Sequence, residues 1–187
     1  MSLKIPAQTK GKAVDLEHTV TADTIAEADH LFNMACDRVL HPQKWATLTN
    51  GFGASFTPVD RSKKMINRSV RLHDFIEIDI PAPGKDWVRV SAIERDSDSV
   101  ALTLLVSPEP GKETEGVGHF FDEGATSTFI IRRKEKSVTA SYHGRNETPH
   151  TDKIRNTIVA LGALAGLSEI QWSSLLEGFL QKDKTEE

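Results

Sequence analysis

The stretch TDKIRNTIVALGALAGLSEIQWSSLLEGFLQ, residues 151–181, is the longest helical signal in the chain. Its first half places apolar side chains at spacings of four, three and four, on one predicted helical face: Ile154, Ile158, Leu161 and Ala165. Gly166 follows where a left-handed C-terminal cap would lie, and Ser168 to Gln171 has the S-x-x-Q form of a capping box. The pattern therefore predicts two helices with a break at Gly166.

The two halves of this stretch differ in the size of their side chains. The first half contains the small residues Ala160, Gly162 and Ala163, which either pack a helix closely against a sheet or leave space beneath it. The second half carries a stripe of bulky apolar residues: Trp172, Leu175, Leu176, Phe179 and Leu180. We therefore expect a sheet to enclose the first half, and the second half to be an ordinary amphipathic helix.

Composition limits the kind of protein that this chain encodes. Its 187 residues fit one domain, 1–187, with flexible tails at 1–12 and 182–187. The net charge is -4 and the basic residues are dispersed, which argues against a nucleic-acid partner. No run is apolar enough for a signal peptide or a membrane span, so a cytoplasmic protein is predicted. The chain has one cysteine, Cys36, and no dinucleotide, Walker or CxxC motif, so neither an internal disulfide nor a cofactor is predicted.

The chain before residue 50 predicts a strand followed by two helices. Val14 to Val20 alternates apolar and polar residues, which is the period of a half-buried strand. Thr24 to Glu27 forms a T-x-x-E capping box, and Cys36 flanks the apolar face of the helix that follows. Pro42 suits the first position of a second, short helix that ends at Leu48.

The middle of the chain reads as an antiparallel sheet. Further strand patterns occur at 54–59, 67–72, 75–80, 87–94, 99–106, 126–133 and 137–143. The segment 107–118 is rich in proline, glycine and glutamate and is predicted to be a long loop. We therefore predict an α+β fold with a sheet of about six or seven strands around the C-terminal helix.

The opening of the chain resembles the START-related helix-grip superfamily, also called the Bet v 1-like or SRPBCC group. The resemblance rests on the first strand, on the helix at 23–37 with Leu31 and Phe32 inside, and on the segment His41 to Trp45. In residues 13–49 the resemblance rests on sequence motifs. In the remainder of the chain it rests on the order of the strands and helices. It implies a curved antiparallel sheet wrapped around a C-terminal helix, with two short helices after the first strand. The segment 86–90 would fit a small closed barrel equally well.

The same resemblance implies a cavity between sheet and helix that binds a small apolar molecule: a lipid, a sterol-like compound or a polyketide. Candidate residues for that ligand are Trp87, His119, Phe120, Arg145, Ile158 and Gly162. His119 and Phe120 would form a lid over the cavity or pin a loop to the core. For Arg145, a surface ion pair with Glu147 is the alternative to a role in the ligand site.

The densest cluster of reactive side chains lies at 142–147, which we expect to form a loop after the last strand. Tyr142, His143 and Glu147 are the candidate acid–base groups of an enzyme that uses the same cavity. Strand alternation would place His143 opposite Tyr142 and separate the two. A metal site formed by His143, Glu147 and His150 is not predicted, because a loop does not force such ligands onto one face.

Three functions follow from these patterns. The first is a protein that binds a small apolar ligand, and the second is a cyclase- or hydrolase-like enzyme with the same cavity. The third is an interaction or assembly module, for which an apolar patch exposed on the helix from Trp172 to Leu180 would be the sign. A homo-oligomer is left open, and the sequence does not decide whether the protein is an enzyme.

Overall fold

The computed structural model describes residues 3–49, 54–79, 85–112, 124–148 and 158–182, and for 158–168 it describes the backbone alone. Its strands are β1 (Lys12–Thr21), β2 (Ser55–Val59), β3 (Phe75–Asp79), β4 (Lys85–Asp96), β5 (Ser99–Val106), β6 (Thr126–Lys134) and β7 (Ser137–Glu147). Its helices are α1 (Ile25–Val39), a 3-10 turn (Pro42–Lys44), α2 (Trp45–Leu48) and α3 (Ile158–Phe179).

The strands described form one antiparallel sheet in the order β1-β7-β6-β5-β4-β3-β2. The strands at the two ends of this order, β1 and β2, are edges, so the sheet is not closed and the barrel alternative is wrong. The order β7 to β2 is a plain meander, and only β1 crosses over to pair with the last strand. The face of the sheet that packs against α1 and α3 is called the inner face below, and the opposite face the outer face.

The start of α1 confirms the predicted capping box. The Thr24 hydroxyl accepts the backbone N–H of Glu27 at 3.1 Å, and the Glu27 carboxylate accepts the N–H of Asp23 at 3.0 Å. Two backbone donors that the helix itself cannot satisfy therefore have partners. The helix buries one apolar face on the sheet, formed by Ala28, Leu31, Phe32, Ala35 and Val39.

An aromatic cluster fills the core between the sheet and the second half of α3. Trp45 is fully buried, and its ring lies 5.0 Å from Phe129 of β6 and 5.8 Å from Phe179 of α3. The indole N–H of Trp45 donates to the carbonyl oxygen of Arg38 at 3.0 Å, so its one polar group is satisfied. The short helices that follow α1 therefore close one end of the core.

Helix α3 runs without interruption from Ile158 to Phe179, so the predicted break at Gly166 is wrong. At its end, the buried guanidinium of Arg38 donates to the carbonyl oxygens of Gly178, Phe179 and Gln181 at 3.3, 3.0 and 2.5 Å. These carbonyls have no partner within the helix, and a cation is favourable at a helix C-terminus. The observed cap therefore comes from α1 rather than from a glycine inside α3.

The predicted strand at 67–72 is also wrong. The N–H of Val70 donates to the carbonyl oxygen of Leu40 at 2.8 Å, at the end of α1 rather than on another strand. Arg68 forms a two-point ion pair with Asp74, with distances of 2.7 and 3.2 Å. The segment is a connection tied to the end of α1 through Val70, which is buried, while Leu72 is exposed. Of the predicted loop at 107–118, the residues after 112 lie outside the described part of the chain.

Residues 3–11, called the N-terminal strap below, lie across the outer face. The N–H of Lys4 donates to the Glu94 carboxylate on β4 at 3.3 Å, and the N–H of Thr9 donates to Asn146 on β7 at 2.7 Å. Because β5 and β6 separate these two strands, the strap crosses the sheet. Hydrogen bonds near both of its ends therefore join the strap to the sheet.

Candidate functional site

Side chains alternate along most of β7 between the two faces of the sheet. Tyr142 points to the inner face, where it is 1% exposed, while His143 points to the outer face. The side chain of Asp15 on β1 contacts His143 Nδ1 at 2.5 Å. Tyr142 and His143 are therefore separated by the sheet, as strand alternation predicts.

The alternation changes at a bulge near the end of β7. Lys12 of β1 pairs with Glu147 and Val14 pairs with Gly144, so Arg145 and Asn146 together oppose one residue of β1. Asn146 has a φ of 59°, in the left-handed region that asparagine tolerates better than most residues. The extra residue turns the side chain of Glu147 to the inner face.

Tyr142 and Glu147 consequently meet on the inner face. The Tyr142 hydroxyl donates to Glu147 Oε1 at 2.9 Å and lies 3.2 Å from the hydroxyl of Ser127 on β6. Gly144 makes room for this contact, because a Cβ atom at that position would lie 2.1 Å from Glu147 Oε1. The absence of a side chain at 144 therefore allows the carboxyl group to fold back over the strand. We call Tyr142, Glu147 and Ser127 the inner polar cluster.

Burial determines the electrostatics of the inner polar cluster. It raises the pKa of Tyr142 well above its usual value, and the nearby Glu147 carboxylate raises it further. Burial also raises the pKa of Glu147, although the hydrogen bond from Tyr142 acts in the opposite direction. Two charged groups at the rim, Lys12 of β1 and Glu169 of α3, form an ion pair with each other. The cluster thus offers a neutral phenol and a carboxyl group that is protonated more readily than an exposed one.

Aromatic and aliphatic side chains surround the inner polar cluster. The Trp172 ring of α3 stacks on Tyr142 with centroids 5.2 Å apart and 18° between the ring planes. The edge of the same indole contacts Phe129 at 5.5 Å. Leu16 of β1 pairs directly with Tyr142 and is partly exposed. The cluster is therefore a polar spot within an apolar surface.

A second polar network lies on the outer face. His143 Nδ1 faces Asp15, and its Nε2 lies 3.1 Å from the hydroxyl of Ser141. Arg145 donates to Asp15 at 2.7 Å and to the carbonyl oxygens of Val14 and Gly144. The predicted ion pair between Arg145 and Glu147 is replaced by one with Asp15, because the bulge turns Glu147 away.

The connectivity of Ser141, His143 and Asp15 matches that of a nucleophilic triad. An acyl-transfer site also needs backbone donors directed at the developing oxyanion. Ser141 pairs with Glu17 of β1 on one side and with Ile130 of β6 on the other, so the backbone N–H groups around it belong to the sheet ladder. We therefore interpret this network as an anchor between β1 and β7.

The segment 142–147 is strand rather than the loop expected from the sequence. His143 and Glu147 consequently lie on opposite faces and cannot share a metal ion, and His150 lies outside the described residues. In the part of the chain that the structure describes, no three His, Cys, Asp or Glu side chains are grouped as metal ligands.

The residues predicted to bind a ligand do not join the inner polar cluster where the structure describes their side chains. Trp87 belongs to a separate buried cluster with Val59 and Phe75, while its neighbour in sequence, Val88, belongs to the main core. His119 and Phe120 fall outside the described residues, and for Ile158 and Gly162 the structure describes the helical backbone alone.

The apolar stripe of α3 is packed against the sheet rather than exposed. Leu175, Leu176, Phe179 and Leu180 are at most 3% exposed, and Trp172 is half-buried against the core. The patch that would indicate an interaction module is therefore covered by the protein's own sheet. Two open surface depressions, of about 360 and 370 Å³, lie at the other end of the strands around Asp98 and Arg133.

Sequence reasoning missed four residues of the site. Ser127 lies in a strand pattern where nothing marks it as different from an ordinary surface position, and Lys12 lies in the segment 1–12 that the sequence predicts to be a flexible tail. In the sequence, Trp172 belongs to the bulky stripe of an ordinary amphipathic helix, and Glu169 lies inside a capping-box pattern. The sequence feature that indicates this site is Gly144, because a glycine inside a strand often marks a position that other atoms approach closely.

Comparison with solved structures identifies the fold. A hypothetical protein from Helicobacter pylori superposes with a TM-score of 0.59 over 97% of this chain and 100% of that protein, at 8% sequence identity. The Zhui aromatase/cyclase from Streptomyces sp. R1128 gives 0.50 over 90% and 92%, at 12% identity. The di-domain aromatase/cyclase StfQ from the steffimycin biosynthetic pathway gives 0.50 over 90% of this chain and 49% of that one, at 13% identity.

The chain therefore has the helix-grip fold, an antiparallel sheet packed against a C-terminal helix, as its sequence predicts. No protein-family model matches the sequence, and no curated protein matches it either. Among the helices described, none combines the length and the apolar composition needed to cross a membrane.

Proposed function

We propose that this protein binds a small, largely apolar molecule between the inner face of the sheet and α3. The observation that carries the proposal is the part-buried hydrogen bond between Tyr142 and Glu147 on the inner face, beside Trp172 of that helix. A polar group of the ligand, a hydroxyl or a carbonyl, would bond to this pair, and its apolar part would contact Trp172. Binding sites for small molecules are typically apolar with a few convergent polar groups.

Core stability alone does not explain the inner polar cluster. Burial of a carboxyl group costs free energy even when it is hydrogen-bonded, and an apolar side chain would avoid that cost. The bulge at Asn146 and the missing side chain at Gly144 both serve to place the Glu147 carboxyl beside Tyr142. Two local departures from regular strand structure thus act on one carboxyl group, which supports a functional role for it.

The position of the cluster along the sheet supports the same proposal. The Trp172 ring of α3 stacks on Tyr142. From that contact α3 extends toward its N-terminus, through the residues before Glu169. The core on the other side of Trp172 is filled by Phe129, Trp45 and Phe179. The ligand would therefore lie beneath the first half of α3, where the sequence places its small residues. Two proteins with this fold are aromatase/cyclases, which is consistent with a cyclic, polyketide-like ligand.

A cyclase- or hydrolase-like activity is a second candidate. It is favoured by one observation, the 2.9 Å hydrogen bond between a phenol and a carboxyl group on the inner face. These are suitable groups to move a proton to and from a bound substrate. His143 would take no part, because it lies on the outer face with Asp15.

Native mass spectrometry of the purified protein, followed by organic extraction, tests the binding proposal. We expect an apolar molecule to co-purify with the wild-type protein, and 1-anilinonaphthalene-8-sulfonate to bind to the protein after extraction. Replacement of Trp172 by Leu should weaken binding of this probe, whereas His143→Asn, on the other side of the same sheet, should not. Equal probe affinity in the Trp172 variant and the wild type would exclude the proposed site.

A further inference from the structure

We infer that the N-terminal strap, docked on Asn146, holds Glu147 in the inner polar cluster and so controls the site of the proposed function, on which this inference rests. The strap lies on the outer face and Tyr142 on the inner face, so the sheet separates the two. The bulge at Asn146 connects them.

Asn146 is the residue on which the strap docks. Its side-chain oxygen accepts the N–H groups of Thr9 and Lys10 at 2.7 and 3.2 Å, and its side-chain nitrogen donates to the carbonyl oxygen of Ala7 at 3.2 Å. Its backbone N–H donates to the Gln8 side chain at 2.9 Å, instead of to a neighbouring strand. Asn146 is 8% exposed. The strap therefore satisfies the backbone N–H that the bulge removes from the sheet ladder, and it also bonds to both polar atoms of the Asn146 side chain.

Gly11 brings the end of the strap into contact with the backbone of Glu147. It has a φ of +65°, and a Cβ atom there would lie 2.6 Å from the Glu147 carbonyl oxygen and 2.6 Å from the Thr148 hydroxyl. A side chain would therefore collide with the strand just where the bulge ends. The strap thus touches β7 at two consecutive residues, Asn146 through its side chain and Glu147 through its backbone.

The bulge depends on this docking. A left-handed conformation is unfavourable for a residue with a side chain and persists where its surroundings fix it. Strict alternation would place Glu147 on the same face as His143 and Arg145, since all three occupy odd positions of the strand. Loss of the strap would remove the hydrogen-bond partners that the strap supplies to the Asn146 side chain and leave the more distant Gly124 carbonyl, at 3.5 Å. It would favour regular pairing and move the Glu147 carboxyl away from Tyr142.

Several charged or titratable groups face Glu147 from the elements packed around it. They are Lys12 on β1, Glu169 on α3, and Arg145 and Tyr142 on its own strand. Burial is the largest influence on its carboxyl and raises its pKa. If Glu147 leaves the inner face, that cause disappears and the pKa returns toward its ordinary value. The pKa of Glu147 in the folded protein therefore reports its position directly.

The test is a carboxyl carbon NMR titration of the full-length protein, with the Glu147 signal assigned from its loss in E147Q. Asn146→Ala removes the anchor from the strand, and Gln8→Ala removes contacts from the exposed strap and leaves the core intact. We expect both variants to lose the pKa elevation of Glu147. Asn33→Ala, at an exposed asparagine of α1, is the matched control and should retain it.

The outcomes separate this inference from the proposed function. If Glu147 keeps its raised pKa in Gln8→Ala and in folded Asn146→Ala, the strap does not position Glu147. If Asn146→Ala fails to fold, the pKa of Glu147 in Gln8→Ala alone decides whether the strap positions it. Suppose that the pKa of Glu147 returns to normal in the strap and Asn146 variants, while E147Q binds 1-anilinonaphthalene-8-sulfonate with unchanged affinity. This result would support the coupling between the strap and Glu147 but contradict the role of Glu147 in binding.

Discussion

A Cβ atom on Gly178 would lie 2.5 Å from the carbonyl oxygen of Leu48, so α3 and α2 contact each other through their backbones. A backbone oxygen cannot move aside as the end of a side chain can. We therefore expect Gly178→Ala to destabilise the protein by about 1–3 kcal/mol, the usual cost of overpacking. Urea unfolding followed by far-UV circular dichroism measures this change.

The matched control for Gly178 is Ser173→Ala in the same helix. Ser173 is half-buried, and alanine has the higher helix propensity, so this variant should be within about 0.5 kcal/mol of the wild type. A gain in stability for Gly178→Ala similar to that of the control would mean that the two helices are not in close contact.

The raised pKa of Glu147 predicts how its contribution to stability varies with pH. The folded state binds the proton more tightly than the unfolded state, so the contribution is complete below the ordinary pKa and is lost as the pH rises through the folded value. The stability of the wild type relative to E147Q should therefore decrease between pH 4 and pH 8. Urea midpoints of both proteins across this range measure it, and a flat difference would place the carboxyl in solvent.

Asp15 should behave in the opposite way. Hydrogen bonds from Arg145 and His143 lower the pKa of its carboxyl, although burial acts against them. Its contribution to stability is therefore present above the ordinary pKa and lost as the pH falls. The wild type should be more stable than Asp15→Asn at pH 7 and approach it at pH 3, and the difference should be small because the side chain is 56% exposed. A difference that grows toward low pH would contradict the outer-face network.

Cys36 is predicted to be unreactive in the folded protein. Burial raises the pKa of its thiol to about 12, so at pH 8 the thiolate fraction is roughly a thousandfold below that of a free cysteine. Reaction with 5,5′-dithiobis(2-nitrobenzoate) should be slow in buffer and fast in urea. Rapid reaction of the native protein would show that α1 exposes this side chain.

Most of the fold could be predicted because the relevant signals are local. The alternation from Val14 to Val20 and the cap at Thr24 depend only on neighbouring residues, and both are confirmed. The break at Gly166 was wrong because glycine is a weak signal for a helix end. A glycine inside a helix costs only about 1 kcal/mol, and the backbone stays helical on both sides of residue 166.

The pairing of Tyr142 with Glu147 could not be predicted from the sequence. Residues five apart on a regular strand lie on opposite faces, so alternation separates them. The bulge that joins them depends on Asn146 and on contacts with Thr9 and Gln8, more than a hundred residues earlier in the chain. No local pattern contains that information. The separation of Tyr142 from His143 needed alternation alone and could be foreseen.

The position of β1 has a consequence for how the protein is made. Of the strands described, it is made first, yet the strand it pairs with is β7, and Thr21 contacts Ser137 across 116 residues of sequence. Val14, Leu16 and Val20 therefore lack their partner strand until β7 has been synthesised, more than a hundred residues later. Such long-range pairing slows folding and leaves an unpaired strand open to aggregation. We expect the nascent chain to depend on chaperones until β7 has emerged.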